Sequence, residues 1–287
     1  MIFFFGDGRL GNQIFQYSFI RSIEDRDHKI VTWNFEDIVN IFGSSLEVIN
    51  VNNRLLKFVI KKIGMPLLDI FAQVKLITSY KVDTYNVDGY VINDVAYTKS
   101  KGLFSIIYIY ACFAQSEEFF NKDKINNLAI KNSYVEVAIR YLELIPDKFN
   151  RVFIHVRRGD YINFTVFGKR GASLPVSYYK DRIQWFEENI ENPFFVFLTD
   201  DADFVEHCFH DVSNKVISNN SMFVDFAIIT MCEYGVMSNS SFSWWAAYMM
   251  RNRKKVFAPK YWLGWKSEVE FPKGVTPSFS EVAAVHK

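Results

Sequence analysis

The chain has 287 residues, 49% of them apolar and 29 of them phenylalanine, which is enough for two domains with packed cores and too apolar for a disordered protein. With 33 basic against 32 acidic side chains the formal net charge is +1, so no global field draws in nucleic acid and any anion site has to be local. Cys112, Cys208 and Cys232 form no Cys-x-x-Cys pair and read as reduced thiols of a cytoplasmic protein.

Ile2 to Phe5 predicts a first buried strand, not a signal peptide, because it lacks a basic flank and stops at Gly6. The loop Gly6-Asp7-Gly8-Arg9-Leu10-Gly11-Asn12-Gln13 leads into a helix from about Asn12, and a strand is predicted at Ile30 to Trp33. Glycines in such a strand-to-helix turn let backbone amides approach a ligand at the positive end of a helix. The spacing matches neither the dinucleotide fingerprint nor the Walker loop, which disfavours a nicotinamide enzyme and a P-loop ATPase. Arg54 to Ile77 predicts helix and carries Lys57, Lys61 and Lys62 on an apolar pattern. Two readings stay open there: a core helix with a solvated face, or a helix lying on a membrane surface. Leu103 to Phe113 is apolar but well short of the roughly 20 residues of a spanning helix.

A polar break at Pro146 to Asn150 predicts the boundary between two domains, residues 1–148 and 149–287. Beyond it, strands and helices alternate with short connections, the pattern of a parallel sheet flanked by helices. Strands are predicted at Arg151 to Val156, Phe194 to Leu198, near Val216, Tyr234 to Met237 and Lys255 to Ala258. Helices fall at Val176 to Asn192, from Asp201, at Phe223 to Cys232 and at Ser241 to Arg251.

Three strand ends carry chemistry. His155-Val156-Arg157-Arg158-Gly159-Asp160-Tyr161 places two arginines and an acid where a buried strand gives way to a loop. Alternation puts His155 and Arg157 on one face and Arg158 on the other, so Arg157 is expected to meet a phosphate through its planar fork and Arg158 to serve the scaffold, paired with Asp160. Thr199-Asp200-Asp201-Ala202-Asp203 offers either a manganese-type Asp201-x-Asp203 pair or an N-cap for the next helix. His207 and His210 lack a third ligand and read as surface residues. Ser238-Asn239-Ser240-Ser241-Phe242-Ser243-Trp244-Trp245 caps a helix, and its hydroxyls and free amides form a phosphate cradle that the two tryptophans lock by burial.

Together these strings resemble the bacterial alpha-1,2-fucosyltransferases. The resemblance runs through Gly8 to Tyr17, Phe113 to Phe120, His155 to Tyr161, Phe197 to Asp201 and Ser238 to Ala247. It implies an α/β protein of GT-B architecture, two Rossmann-like domains facing a central cleft, with an acceptor-side domain before residue 148 and a GDP-fucose-binding domain after it. The implied reaction moves L-fucose from GDP-L-fucose, with inversion, to the 2-hydroxyl of a terminal β-galactoside such as a surface polysaccharide precursor, with no cofactor and no essential metal. Residue by residue, it makes Arg157 the ligand of the β-phosphate, with Arg158 and Asp160 in support. His155 and Asp225 would recognise guanine, Ser240 and Ser241 would hold phosphate, and Gly8, Gly11 and Asn12 would touch donor or acceptor. Two departures, Gly8-Arg9-Leu10 for the commoner Gly-Gly-Leu and Glu233-Tyr234 where a histidine is frequent, bear on acceptor preference.

Bond breaking at a glycosyl phosphate builds negative charge on the departing diphosphate, so fixed cations and amides there lower the barrier more than the ground state. A carboxylate is the usual proton acceptor for the attacking hydroxyl, with Asp160 the first choice and Asp7 the second. The competing readings are a metal-dependent nucleotide-sugar transferase using Asp201 and Asp203, and a non-catalytic nucleotide- or glycan-binding protein on the same scaffold.

Overall fold

A computed structural model describes residues 1–24, 28–43, 46–87 and 89–286. It divides into two compact units, Met1–Ala129 and Ile130–Lys287.

The first unit is built on a six-stranded sheet in the order β3-β2-β1-β6-β4-β5. Its strands are β1 (Ile2–Phe4), β2 (Ile30–Thr32), β3 (Val48–Asn50), β4 (Ile77–Val87), β5 (Tyr90–Ser100) and β6 (Phe104–Ile109). All pairs are parallel except β4 with β5, a long antiparallel hairpin with a register shift between Val82 and Thr84. Helices α1 (Leu10–Ile23) and α2 (Glu36–Phe42) follow β1 and β2. Between β3 and β4 lie α3 (Arg54–Val59), a π-helical turn at Ile60–Gly64, and α4 (Met65–Gln73). The helix expected to run to Ile77 therefore ends at Gln73, and Ile77 opens β4 instead.

The π turn explains why the inner face of this helical run is spaced as it is. The Met65 amide bonds the Ile60 carbonyl, five residues back, so one residue is looped out and the inward stripe passes from partly buried Ile60 to Met65, Leu68 and buried Ala72. Those four pack with Phe3, Phe5, Trp33, Ile77 and Tyr108 into one cluster.

The second unit also has a six-stranded sheet, in the order β11-β10-β7-β12-β13-β14 and parallel throughout. Its sheet strands are β7 (Asn150–Val156), β10 (Pro193–Thr199), β11 (Lys215–Ile217), β12 (Tyr234–Val236), β13 (Lys255–Pro259) and β14 (Glu281–Ala283). A two-stranded ribbon, β8 (Thr165–Val166) with β9 (Lys169–Arg170), interrupts the segment after β7. The helices are α5 (Asn132–Leu142), α6 (Val176–Asn189), α7 (Ala202–Cys208), α8 (Met222–Met231) and α9 (Ser241–Tyr248). Strand alternation sorts them. Val152, Ile154 and Val156 of β7 join Phe195 and Phe197 of β10 against Tyr178, Tyr179, Ile183 and Phe186 of α6 and Val205 of α7. His155 faces the other way, where its ring stacks on Phe242 of α9 and Phe242 meets Phe226 of α8 edge-on.

Helix α5 packs against α8, so the second compact unit starts at Ile130 and not after residue 148. The strands predicted in this half are all present, with ends within a few residues of expectation.

Candidate active site

In an open parallel sheet, ligands gather at the carboxyl edge where the strand order reverses. From β7 the second unit proceeds outward to β10 and β11, then returns to the other side of β7 for β12 to β14, so its reversal lies between β7 and β12. Here His155 Nδ1 and Ser238 Oγ are hydrogen-bonded at 2.7 Å, joining the end of β7 to the loop after β12. Tyr161 makes a second link by donating to the Asn239 carbonyl at 3.3 Å. Burial, with the nearby Arg157 charge, pushes the His155 imidazole down to about 3. At ordinary pH it is a neutral ring, able to donate and to accept.

Arg157 sits just past this junction. One amino group contacts Asp160 Oδ1 at 2.6 Å and the other Asp200 Oδ2 at 2.7 Å. Asp160 was expected to pair with Arg158; the single 3₁₀ turn at Gly159–Ile162 carries it back over Arg157 instead. Arg158 turns away, donates from Nε to Asp201 Oδ2 at 3.0 Å and lies 3.4 Å above the Phe204 ring. Asp201 caps α7 by accepting from the Phe204 amide through its other oxygen. Both oxygens of Asp201 are thus engaged, while Asp203 is exposed on the helix. Among the described residues, no group of three or more His, Cys, Asp and Glu is placed to hold a metal ion.

Asp200 is the residue that sequence reasoning missed. The pairing of Thr199 with Val156 sets it beside the β7 loop. One oxygen accepts the Arg158 amide at 2.8 Å, the other holds Arg157, and a side chain at Gly159 would meet it at 2.6 Å. Glycine at 159 is therefore what lets the two loops close on each other. The available signal was an acid at the carboxyl end of a strand neighbouring β7.

Ser240 is the N-cap of α9 and accepts from the Phe242 amide, with Ser241 the first helical residue and half-buried. Ser243 donates to the Ser238 and Ser240 carbonyls, and Trp244 donates to the Val275 carbonyl at 2.8 Å while stacking on Tyr248. The serine loop is held from below. Asp225, in the first turn of α8, is buried and accepts from Ser218 at the end of β11. Burial pushes its carboxyl up to about 7, against the pull of that hydrogen bond. His155 at the end of β7 and Arg157, Asp160, Asp225, Ser240 and Ser241 on the loops and helix starts that follow the strands thus all fall at one sheet edge. A cavity of about 340 Å³ lined by Asp147, Arg151 and Glu233 opens at the other end of β7, away from these groups.

The first unit has its own reversal, between β1 and β6. Gly8 adopts φ +83°, a left-handed conformation that suits glycine, and a Cβ there would meet Asn12 Nδ2 at 2.4 Å. Asn12 Oδ1 accepts from Gln115, in the loop after β6, at 2.6 Å. Gln13 donates to the Gly8 carbonyl and accepts from the Ile38 amide. Gln16 donates to the Asp7 and Cys112 carbonyls. Helix α1 starts at Leu10, two residues earlier than expected, so Gly11 is a buried helical residue and no part of the open turn. Asp7 is exposed and accepts its neighbour's amide, Gly8 N–H, at 2.7 Å.

The profile of glycosyl transferase family 11 matches residues 5–268. Over 253 residues the chain is 26% identical to an alpha-1,2-colitosyltransferase of Escherichia coli, covering 84% of this chain and 85% of that one. It is 29% identical over 127 residues to the O-antigen biosynthesis glycosyltransferase WbnK of Escherichia coli, 42% of each chain. A stretch of 103 residues is 29% identical to galactoside alpha-(1,2)-fucosyltransferase 1 of Lagothrix lagotricha, 34% of this chain and 28% of that protein. The matched stretches thus span less than half the length of two of these three relatives. The fold is shared with the fucosyltransferase NodZ of Bradyrhizobium, a glycosyltransferase of the GT-B type, at a TM-score of 0.54 and 8% identity over 89% of this chain and 93% of that one.

Proposed function

Since the chain belongs to glycosyl transferase family 11, we propose that it is an inverting transferase that moves L-fucose from GDP-L-fucose to the 2-hydroxyl of a terminal β-galactoside. The observation that carries this reading is Arg157, held by two carboxylates at the sheet reversal beside the capped start of α9. A guanidinium has five N–H groups in a rigid fork. The two amino groups of Arg157 each spend one on Asp160 or Asp200, which fixes the plane and leaves donors for a diphosphate oxygen.

In this reading the acceptor oxygen attacks the anomeric carbon, the bond from that carbon to the β-phosphate oxygen breaks, and the electron pair leaves with GDP. Arg157 and the amides at the α9 start meet the charge that grows on the diphosphate. Asp225 and the neutral His155 take the guanine edge, and Arg158 keeps the β7 loop in place through Asp201 and Phe204. The acceptor's proton goes to a carboxylate, Asp160 first and Asp7 second. Asp160 is mostly exposed, so it can leave Arg157 when phosphate arrives and stay within reach of the reacting sugar. Gly8 and Asn12 line the acceptor side. The reading requires no metal, because Arg157 and the helix start occupy the role a divalent cation would play.

The test is GDP release from GDP-fucose with lactose as acceptor, in EDTA, for the native chain and Arg157→Ala. The expected result is acceptor-dependent release that survives EDTA and falls by about a hundredfold or more in the variant. Activity that requires metal and ignores Arg157 would move the chemistry to Asp201 and Asp203. GDP-colitose in place of GDP-fucose separates donor preference from mechanism, since one relative matched over 85% of its length is a colitosyltransferase.

A further inference from the structure

The helical run from α3 through the π turn to α4 is apolar on both faces. Its inner stripe packs on the core, Ala72 buried and Ile60, Met65 and Leu68 partly buried against the cluster. Its outer stripe, Leu55, Phe58, Ile63, Ile70 and Val74, is more than half exposed at every position. The two stripes are about half a turn apart, and the looped-out residue of the π turn keeps both in phase from end to end. Apolar surface continues past the helix. The amides of Leu103 and Phe104 bond the carbonyls of Lys75 and Leu76, and both side chains are more than half exposed. A helix apolar all round is ordinarily buried, and a contiguous exposed patch of this kind marks an interaction surface.

Charge says what the surface meets. Residues 54–75 carry Arg54, Lys57, Lys61, Lys62 and Lys75 against one acid, Asp69, in a chain whose formal charge is only +1. Asp69 is turned inward to Tyr108, whose hydroxyl burial and that carboxylate both push up. Lys57 is paired with Glu36. The exposed outer surface therefore presents Arg54, Lys61, Lys62 and Lys75 around its leucines and phenylalanines, with Lys101 beside Leu103. No helix among the described residues is long and apolar enough to cross a membrane. Apolar side chains rimmed by lysines on a helix about 30 Å long suit the interface plane of a bilayer whose headgroups are negative. A second copy of the chain is a poor occupant, because a two-fold contact would set this cationic rim against itself.

We propose that residues 54–76 with Leu103 and Phe104 form a face that docks on the surface of an anionic phospholipid bilayer, holding the first unit against the membrane without spanning it. Docking is independent of which sugar the enzyme transfers, so it can fail without affecting the activity above.

The experiment is flotation of the purified full chain with vesicles of phosphatidylcholine alone and with one-third phosphatidylglycerol. The expected result is binding to the anionic vesicles that weakens with salt and is at least about tenfold weaker on phosphatidylcholine. Lys61→Glu with Lys62→Glu should lower it by about tenfold or more, since each lysine near such a surface is worth about fivefold. Leu55→Gln, Phe58→Gln and Ile63→Gln together should abolish it, with unchanged circular dichroism and unchanged turnover of a soluble acceptor. These positions are exposed, so the variants should fold. Equal partition onto both vesicle types, absence of flotation, or a dimer in sedimentation velocity that these substitutions dissolve would each overturn the proposal.

Discussion

Each sheet reverses its strand order beside its first strand, and the two reversals differ in what holds their loops. In the second unit the β7 loop is fixed by ions, Arg157 between Asp160 and Asp200 and Arg158 on Asp201, and the serine loop across the reversal is braced from below by buried tryptophans. In the first unit the β1 loop is fixed by uncharged amides: Gln13 on Gly8, Gln16 on Asp7 and Cys112, and Asn12 on Gln115. Glycine does the same work in both, Gly8 against Asn12 and Gly159 against Asp200, each admitting a neighbour that a methyl group would displace. Charged groups fixed in advance suit a leaving diphosphate, and a net of neutral donors and acceptors suits a sugar's hydroxyls. Under the proposed function the charged loop meets the diphosphate and the amide-held loop meets the acceptor, and the residues after the strand set that difference.

The largest contrast should be in stability. Trp244→Ala removes a fully buried ring and its bond to the Val275 carbonyl, and should cost about 3–5 kcal/mol in denaturant unfolding. Gln16→Ala strips the donor from two carbonyls and should cost about 1–3 kcal/mol. An equal loss from both would erase the distinction between a packed brace and a hydrogen-bonded one. Next in size is Asp200→Asn, which keeps the shape and removes the charge that orients Arg157. It should lower kcat by about tenfold or more while leaving the melting temperature nearly unchanged, since both partners are about 30% exposed. A KM effect alone would mean that Asp200 serves binding and not turnover. Smaller again is Gln115→Ala, which removes one hydrogen bond to Asn12 and should raise the acceptor KM by about fivefold, one neutral hydrogen bond, with kcat retained. If kcat falls instead, the first unit takes part in the chemistry.

How much of this was legible in the sequence follows from what each feature depends on. The β7, β12 and glycine-loop strings were readable because strand, turn and cap all lie within a dozen residues. Arg158 was correctly set apart from Arg157 by strand alternation, yet Asp160 was given to the wrong arginine because a 3₁₀ turn, and not an extended chain, follows Gly159. Asp200 depends on β10 lying beside β7, a pairing of residues 43 positions apart that no local pattern reveals. The same holds for α5, whose partner α8 lies far along the chain. The β4–β5 hairpin is hard to read in the sequence because β5 is exposed at most positions on both faces and alternates weakly, although Asp88-Gly89 between β-rich segments is a hairpin signal. The run from Arg54 admits two readings because its apolar pattern covers both faces: one stripe packs on the core cluster and the other is exposed.

The smallest predicted effect is also the most specific to the charged reversal. Asp225 sits among apolar groups that hold its carboxyl at about 7, so without ligand the folded chain keeps a proton that the unfolded chain would release near pH 4. The group's contribution to stability is therefore full at low pH and is lost as pH rises from about 4 to about 7. Asp225→Asn should remove that slope and leave the chain relatively more stable above pH 7. His155 acts in the opposite sense, because its pKa is pushed down to about 3 and its contribution is lost as pH falls below about 6.5. If Asp225 binds guanine, the base's N–H donors favour the ionised carboxylate, so GDP binding must expel a proton. Affinity for GDP should then rise about threefold between pH 6.5 and pH 7.5 and level off above, which follows from a single group titrating near 7. Calorimetry in two buffers of different ionisation enthalpy would read the released proton directly. A pH-independent GDP affinity, or one whose slope survives in Asp225→Asn, would leave that carboxylate as a buried structural acid bonded to Ser218 and move guanine recognition elsewhere on the same edge.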